Sequence, residues 1–385
     1  MAYGLEKGPA AGPGVEWIAG QIPSPILRLR FLQEFVPRPT DHPPLDRRKA
    51  GALIAIPLAL LLITTPPSRK AVQAAASAPR GFVLQPVRQT TAVYVAPASD
   101  IWLVEKTAAY ETYSNGLRID NRFATRNHPR SYLVFSASRP ETPPLRRVSP
   151  AGIVFHTTES MQAPFEADQN SRLKRIGESL LEYVQRRRSY NFVIDRFGRV
   201  YRVVEETDAA NHAGYSVWSD ADWLYLNLNE GFLGVSFETK TVPGQGDATV
   251  TPAQMLSGAM LIDMLRHRYR IPAVDCVTHA QVSVNPSNLQ IGYHLDWASS
   301  FPFRQLGLPD NYDVPLPAVG RFGFGFDAGF AHRAGERMFG EAQRGEQEVR
   351  DSAAAAHMQT GVYRGALQKR YRSELAAVRD GSRAE

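Results

Sequence analysis

The chain predicts an α/β fold, a mixed central β-sheet flanked by helices, and three observations carry that expectation. Between about residues 149 and 310, short apolar runs of strand length alternate with apolar stripes at helical spacing. Two of those strand-like runs stop abruptly on a histidine. The flanking segments differ in kind, β-rich before this region and helix-prone after it.

In chain order, residues 1–46 are rich in proline and glycine and are expected to be a poorly ordered leader. Residues 47–79 combine Arg47-Arg48-Lys49, the apolar run Ala50 to Ile63 and an alanine-rich stretch, the three parts of an export signal. The run is shorter than the roughly 20 residues of a bilayer span and suits a signal core of about 7–15. The long leader and Pro79 after Ala76-Ser77-Ala78 argue against cleavage, so the segment is either a cleaved signal or an uncleaved anchor. Both readings place the remainder in the cell envelope, in the periplasm or on the outer face of the inner membrane.

From 80 to 137 the alternating runs TAVYV, DIWLVE and SYLVF predict a β-rich segment, either a small separate module or a wing on the α/β region. ASRPETPPLRR, Ala137 to Arg147, has the composition of a linker. GIVF then predicts a strand, and Leu173, Ile176, Leu180, Leu181 and Val184 mark one face of a helix. YNFVIDRFGRVYRVV predicts two strands around a turn at Gly198, and LGVSFE another strand. A helix opens at Thr251-Pro252, with the threonine as cap and proline in the first helical position. PAVDCVTH predicts a further strand. Residues 320–385 form a polar, helix-prone tail without a clear apolar stripe, an appendage or a partner-binding element.

Composition bounds the function. At 385 residues and 43% hydrophobic, the chain can bury a full core. Its 44 Lys and Arg against 38 Asp and Glu give a charge of +6, which favours anionic partners. The basic residues are scattered rather than gathered on one readable element, which argues against a nucleic-acid partner. The one cysteine, Cys276, permits neither an intrachain disulfide nor a thiolate-rich metal site, and its apolar context reads as buried packing.

Of nine histidines, His42, His128, His332 and His357 lie in polar or weakly structured contexts, and His267 suits a charged helix end. His156 ends GIVF and His279 ends VDCVT. One strand-end histidine is ordinarily a hydrogen-bonded structural residue; two in one α/β domain raise the possibility of a metal. Catalytic zinc takes three protein ligands and keeps a position for water, and Asp296 in YHLDWASSFPF offers the third. Two neutral imidazoles and one carboxylate suit zinc and leave it with net positive charge.

Here the residues resemble the zinc-dependent N-acetylmuramoyl-L-alanine amidases of type 2, a family that includes phage lysozyme-type amidases and the peptidoglycan recognition proteins. The resemblance covers Ser149 to Phe303, less than half the chain, and rests on six motifs in order. GIVFHTTES looks like the first strand with its ligand histidine, SYNFVIDRFGRVYRVVEE the signature hairpin and NHAGYS the His-Ala-Gly loop. LGVSFE stands at the Gly-Ile-Glu strand, CVTHAQVS at the second ligand segment and HLDWASSFPF at the last.

The resemblance implies zinc bound by His156, His279 and Asp296, with Glu238 activating the attacking water. Tyr190 matches a tyrosine near the metal, placed to stabilise an oxyanion. His294 stands where many bacterial members have a lysine, and Trp297 and Ala298 replace the usual glycine and proline. His212 of the His-Ala-Gly loop, with Trp218 and Trp223 of the insert that also holds Tyr225, is expected on a substrate-facing rim. The function implied is hydrolysis of the amide between N-acetylmuramic acid and L-alanine of the peptidoglycan stem peptide. Two alternatives are a module that binds peptidoglycan without cutting it and a structural envelope protein with a vestigial site.

Overall fold

The computed structural model describes residues 100–241 and 249–383, which belong to one compact unit, residues 91–385. The expected leader, the export segment and the run TAVYV lie outside the described residues. Among the described residues no helix is long and apolar enough to cross a membrane.

Fourteen strands and eight α-helices are described: β1 (Leu103–Lys106), β2 (Tyr110–Tyr113), β3 (Arg118–Asp120), β4 (Tyr132–Ser136), β5 (Leu145–Arg147), β6 (Gly152–Thr157), α1 (Asn170–Arg187), β7 (Phe192–Ile194), β8 (Val200–Arg202), β9 (Val217–Ser219), β10 (Trp223–Leu226), α2 (Leu228–Gly231), β11 (Phe232–Phe237), α3 (Pro252–Tyr269), β12 (Cys276–Thr278), α4 (His279–Val282), β13 (Val284–Asn285), β14 (Gln290–Ile291), α5 (Pro317–Phe322), α6 (Ala328–Arg333), α7 (Gly335–Ala355) and α8 (Thr360–Arg383). The central sheet has eight strands in the order β1-β2-β3-β8-β7-β11-β6-β12 and is mixed. β7, β11, β6 and β12 run parallel, while β7 and β8 form the antiparallel hairpin expected around Gly198, whose φ is 78°. Every residue of β6 and β11 is buried, as parallel strands covered on both faces require.

One face of this sheet carries Ile153, Phe155, Val235 and Phe237, in one hydrophobic cluster with Leu261 and Leu265 of α3 and with Phe301 and Phe303. The opposite face supports α1, whose Leu180, Leu181 and Val184 meet Val193 and Tyr201. Beside α1 lies a second sheet, in the order β5-β4-β10-β9. Its Tyr132, Val134, Trp218 and Tyr225 pack on Val154, Phe232 and Val277.

One expectation is narrowed and two need correction. Of the two readings of the β-rich segment, the separate module is ruled out for strands β1 to β3, because β3 pairs in parallel with β8 and the three strands extend the central sheet as a wing. The end of the supposed linker is β5, hydrogen-bonded along β4 with Tyr132 opposite Arg147. The tail is built into the core: Phe322, Phe324, Phe330, Met338, Ala342, Tyr371, Leu375 and Val378 join the main cluster. The domain end expected at 310 therefore falls inside one continuous core.

Candidate metal centre

The parallel strands β6 and β12 deliver His156 and His279 to the same end of the sheet. Val277 pairs with Val154 and Thr278 with Phe155, so the residue after each run emerges at one level. Thr278 caps α4 in a capping box with Gln281, which stops the strand and fixes the backbone at His279. Asp296 arrives from the loop after β14. Its Oδ1 lies 2.9 Å from His279 Nδ1 and its Oδ2 3.2 Å from His156 Nδ1. One ligand atom from each of the three falls within 4.8 Å of the others.

The turn after Asp296 lacks glycine, and Trp297 adopts the left-handed conformation there, with φ 59°. Such a backbone is unfavourable for a bulky residue, by about 1–3 kcal/mol. Burial offsets the cost: the Trp297 ring stands edge-on to Phe301, 5.1 Å between centroids, and its carbonyl accepts a 2.7 Å bond from Tyr312. Core packing thus replaces the glycine.

Hydrogen bonds settle which imidazole nitrogens are free. His212 Nε2 lies 3.2 Å from the Phe232 carbonyl, which can only accept, so that nitrogen carries the hydrogen. Burial holds His212 neutral, well below its ordinary pKa, so its Nδ1 is an acceptor. His156 Nε2, 3.1 Å away, donates to it. Burial, then the neighbouring His279, pushes His156 down to about 4, so it too is neutral and its Nδ1 lone pair faces Asp296. His279 Nε2 lies 3.4 Å from the Ala213 carbonyl, which can only accept, so that nitrogen carries a hydrogen and Nδ1 is the ring nitrogen facing Asp296. The lone pair of neutral His156 facing a carboxylate oxygen at 3.2 Å is unfavourable unless a cation lies between them. The donor set, two imidazoles and one carboxylate, is one that zinc accepts.

This relay corrects the expectation for His212. Both of its ring nitrogens are engaged, so it orients a candidate ligand instead of facing a substrate. Gly234 of β11 makes room for it, since a Cβ there would come within 2.7 Å of the His212 ring. Trp218 and Trp223 are corrected as well. Trp218 is fully buried and donates from Nε1 to Asp275 at 2.9 Å, while Trp223 stacks under the Arg147 guanidinium, 4.3 Å from it. Tyr225 is buried too and bonds Asp220. Trp218 and Tyr225 of the hairpin of β9 and β10 thus form core, and Trp223 is half-buried against the same cluster.

Glu238 follows β11, two residues beyond Ser236, which lies opposite His156 in the parallel register. It is buried, and its carboxyl is pushed up to about 7, first by burial and then by the nearby Asp195. The Arg196 amide donates to its Oε2 at 3.1 Å. Tyr190 stands 5.1 Å from the His156 ring, centroid to centroid, on a left-handed backbone with φ 63°. Burial raises its pKa, so the hydroxyl keeps its proton. His294 stacks on His279, 4.4 Å between centroids, and burial together with His279 pushes it down to about 3. It offers an N–H but no positive charge. Arg196 and Ser236 went unremarked in the sequence, although alternation along LGVSFE puts Gly234, Ser236 and Glu238 on one face.

Residues 146–290 match the family model Amidase_2, N-acetylmuramoyl-L-alanine amidase, a span that includes His156, Glu238 and His279 and ends before Asp296. No curated protein matches the chain. Among solved structures it is similar to the N-acetylmuramoyl-L-alanine amidase LysC from Clostridium intestinale URNW, at 23% identity over 41% of this chain and 83% of that one, TM-score 0.26. It is also similar to the amidase AmiD from E. coli, solved with the substrate anhydro-N-acetylmuramic acid-L-Ala-D-gamma-Glu-L-Lys, at 20% identity over 57% of this chain and 86% of that one, TM-score 0.34. By this match and its ordered motifs, the segment 146–290, under half of the chain, is similar to the type 2 N-acetylmuramoyl-L-alanine amidases.

Proposed function

We propose that this protein is a zinc-dependent amidase that cleaves the bond between N-acetylmuramic acid and L-alanine of peptidoglycan stem peptides, acting in the cell envelope. The observation that carries the reading is the convergence of one ligand atom each from His156 and His279, at the ends of parallel strands, and from Asp296 in the loop after β14, all within 4.8 Å. His156, His279 and Asp296 would hold the metal, and zinc there would supply Lewis acidity toward the scissile carbonyl and the attacking water. Glu238, with a carboxyl near neutral pKa, would take the water's proton and pass it to the leaving amine. Tyr190 and neutral His294 would each donate one hydrogen bond to the developing oxyanion. The complete donor set favours catalysis over binding alone. The proposed location rests on residues 47–79.

The test uses the full chain, because the core extends to Val378. Purified protein is expected to contain zinc and to release stem peptide from peptidoglycan in a chelator-sensitive way. His156→Ala should abolish both. His212→Ala should retain the fold and lower zinc affinity about 10–100-fold. A wild-type protein that binds no zinc and releases no peptide would overturn the reading.

A further inference from the structure

The two segments that leave the sheet at the metal end are laced together beyond it. β6 and β11 pair in parallel as far as Thr157 and Phe237. Just past that pair, the Thr158 amide donates to the Phe237 carbonyl at 2.9 Å and the Glu159 amide to the Thr239 carbonyl at 3.1 Å. Those two carbonyls flank Glu238, so its backbone is pinned on both sides to residues two and three beyond His156. A side chain continues the lacing: Glu159 Oε1 accepts from the Thr241 amide at 2.9 Å and from the Thr157 hydroxyl at 2.8 Å. Farther along the same loop, the Ala163 carbonyl accepts from the Arg196 guanidinium, and the Arg196 amide donates to Glu238.

Glu159 holds this position under strain. In a regular parallel strand successive amides face opposite neighbours, yet those of Thr158 and Glu159 both reach the segment that follows β11. A left-handed backbone at Glu159, with φ 51°, makes this possible and is unfavourable for a residue with a Cβ. Glycine would adopt it freely but would take the side-chain acceptor away from Thr241. Strain of this kind persists where the surrounding structure uses it, and the Thr239 and Thr241 bonds that hold it run to the segment carrying the proposed base.

We propose that Glu159 is a positioning residue that holds Glu238 in register with His156. This rests on the amidase reading and adds what keeps the base in place beside the ligands. The test compares wild type with Glu159→Ala, which removes the side-chain acceptor, and with Glu159→Gln, which keeps an acceptor oxygen and removes the charge. The alanine variant should lower kcat for peptide release about 10–100-fold, with KM within about twofold and zinc content retained. It should also move the acid limb of the pH profile below about 7, because burial is the first cause of the raised Glu238 carboxyl and a loosened segment admits water. The glutamine variant should restore both.

An unchanged kcat and an unmoved limb in Glu159→Ala would overturn the proposal. So would a rise in KM alone, which would assign Glu159 to the substrate, or loss of zinc, which would assign it to the ligands. An equal defect in Glu159→Gln would overturn it in favour of the charge. If wild type releases no peptide, the amidase reading fails by itself. Carboxyl NMR of the full chain labelled at glutamate, with the Glu238 signal identified by its absence from Glu238→Gln, then decides the positioning. A Glu238 titration midpoint lowered in Glu159→Ala and restored in Glu159→Gln supports it, and equal midpoints in the two variants overturn it.

Discussion

Two regions on the same face of the central sheet share their ingredients and differ in use. At the strand ends, Glu238 is a buried carboxyl pushed up to about 7, with Phe165 and Phe197 exposed beside it. Beneath the hairpin of β9 and β10, Asp275 is a buried carboxyl likewise pushed up to about 7, by burial and then by Asp220, with Trp218 and Tyr225 packed over it. A raised carboxyl pKa alone therefore does not identify the chemistry. Asp275 accepts the Trp218 indole and is enclosed by core, whereas Glu238 shares its sheet face with His156. Aromatic content is equally ambiguous, because covering surface decides whether a ring is core or exposed.

Substitutions should separate the two regions. The largest effect is expected from Glu238→Gln, with kcat falling about 10²–10⁴-fold while zinc content is retained. A base must be deprotonated, so the wild-type rate should rise as pH passes through about 7, and the variant should lack that limb; a pH profile of peptide release reads both. A variant with wild-type rate and profile would remove Glu238 from the mechanism.

Next comes Trp218→Ala, expected to cost about 3–5 kcal/mol in chemical denaturation, since it empties a core position and strands Asp275 without its donor. The protein that remains folded should keep its kcat. A large loss of kcat with little loss of stability would return Trp218 to the substrate rim.

The smallest effect is expected from Asp275→Asn. A carboxyl whose folded pKa lies above its unfolded value gives stability that is fully present below the unfolded pKa. That stability is lost as pH rises through the folded value of about 7. Wild-type stability should therefore decline between about pH 4 and 7, with Asp275 contributing a slope of at most about 1.4 kcal/mol per pH unit. Asp275→Asn should flatten its share and leave the rise of activity near pH 7 untouched. Denaturation midpoints across this range check it, and an unchanged slope would mean that Asp275 does not titrate differently on folding.

Much of the site could be read from the residues because its signals are local. A strand run that stops on histidine, the Thr251-Pro252 helix start and the alternation of LGVSFE each depend on a few adjacent side chains. The tail hid its role for an equally physical reason. The buried positions of α7 are Met338, Glu341, Ala342, Gly345, Val349 and Ala353, a stripe at helical spacing made largely of small residues, which hydrophobicity patterns barely register. Its close neighbour α5 needs that smallness, and nothing in either segment names the other.

By itself, the sequence determined the alternation of strands and helices, the two strand-end histidines and the candidate third ligand, because period and punctuation are written in neighbouring residues. Only the tertiary structure decided that β1 to β3 extend the sheet, that Trp218 is core, that His212 orients His156, and that Trp297 can hold a left-handed turn. Each of these depends on a partner far away along the chain: β8, Asp275, Phe232 and Phe301. The free energy of burying or bonding a side chain belongs to the pair that meets, and the chain order of either member does not disclose it.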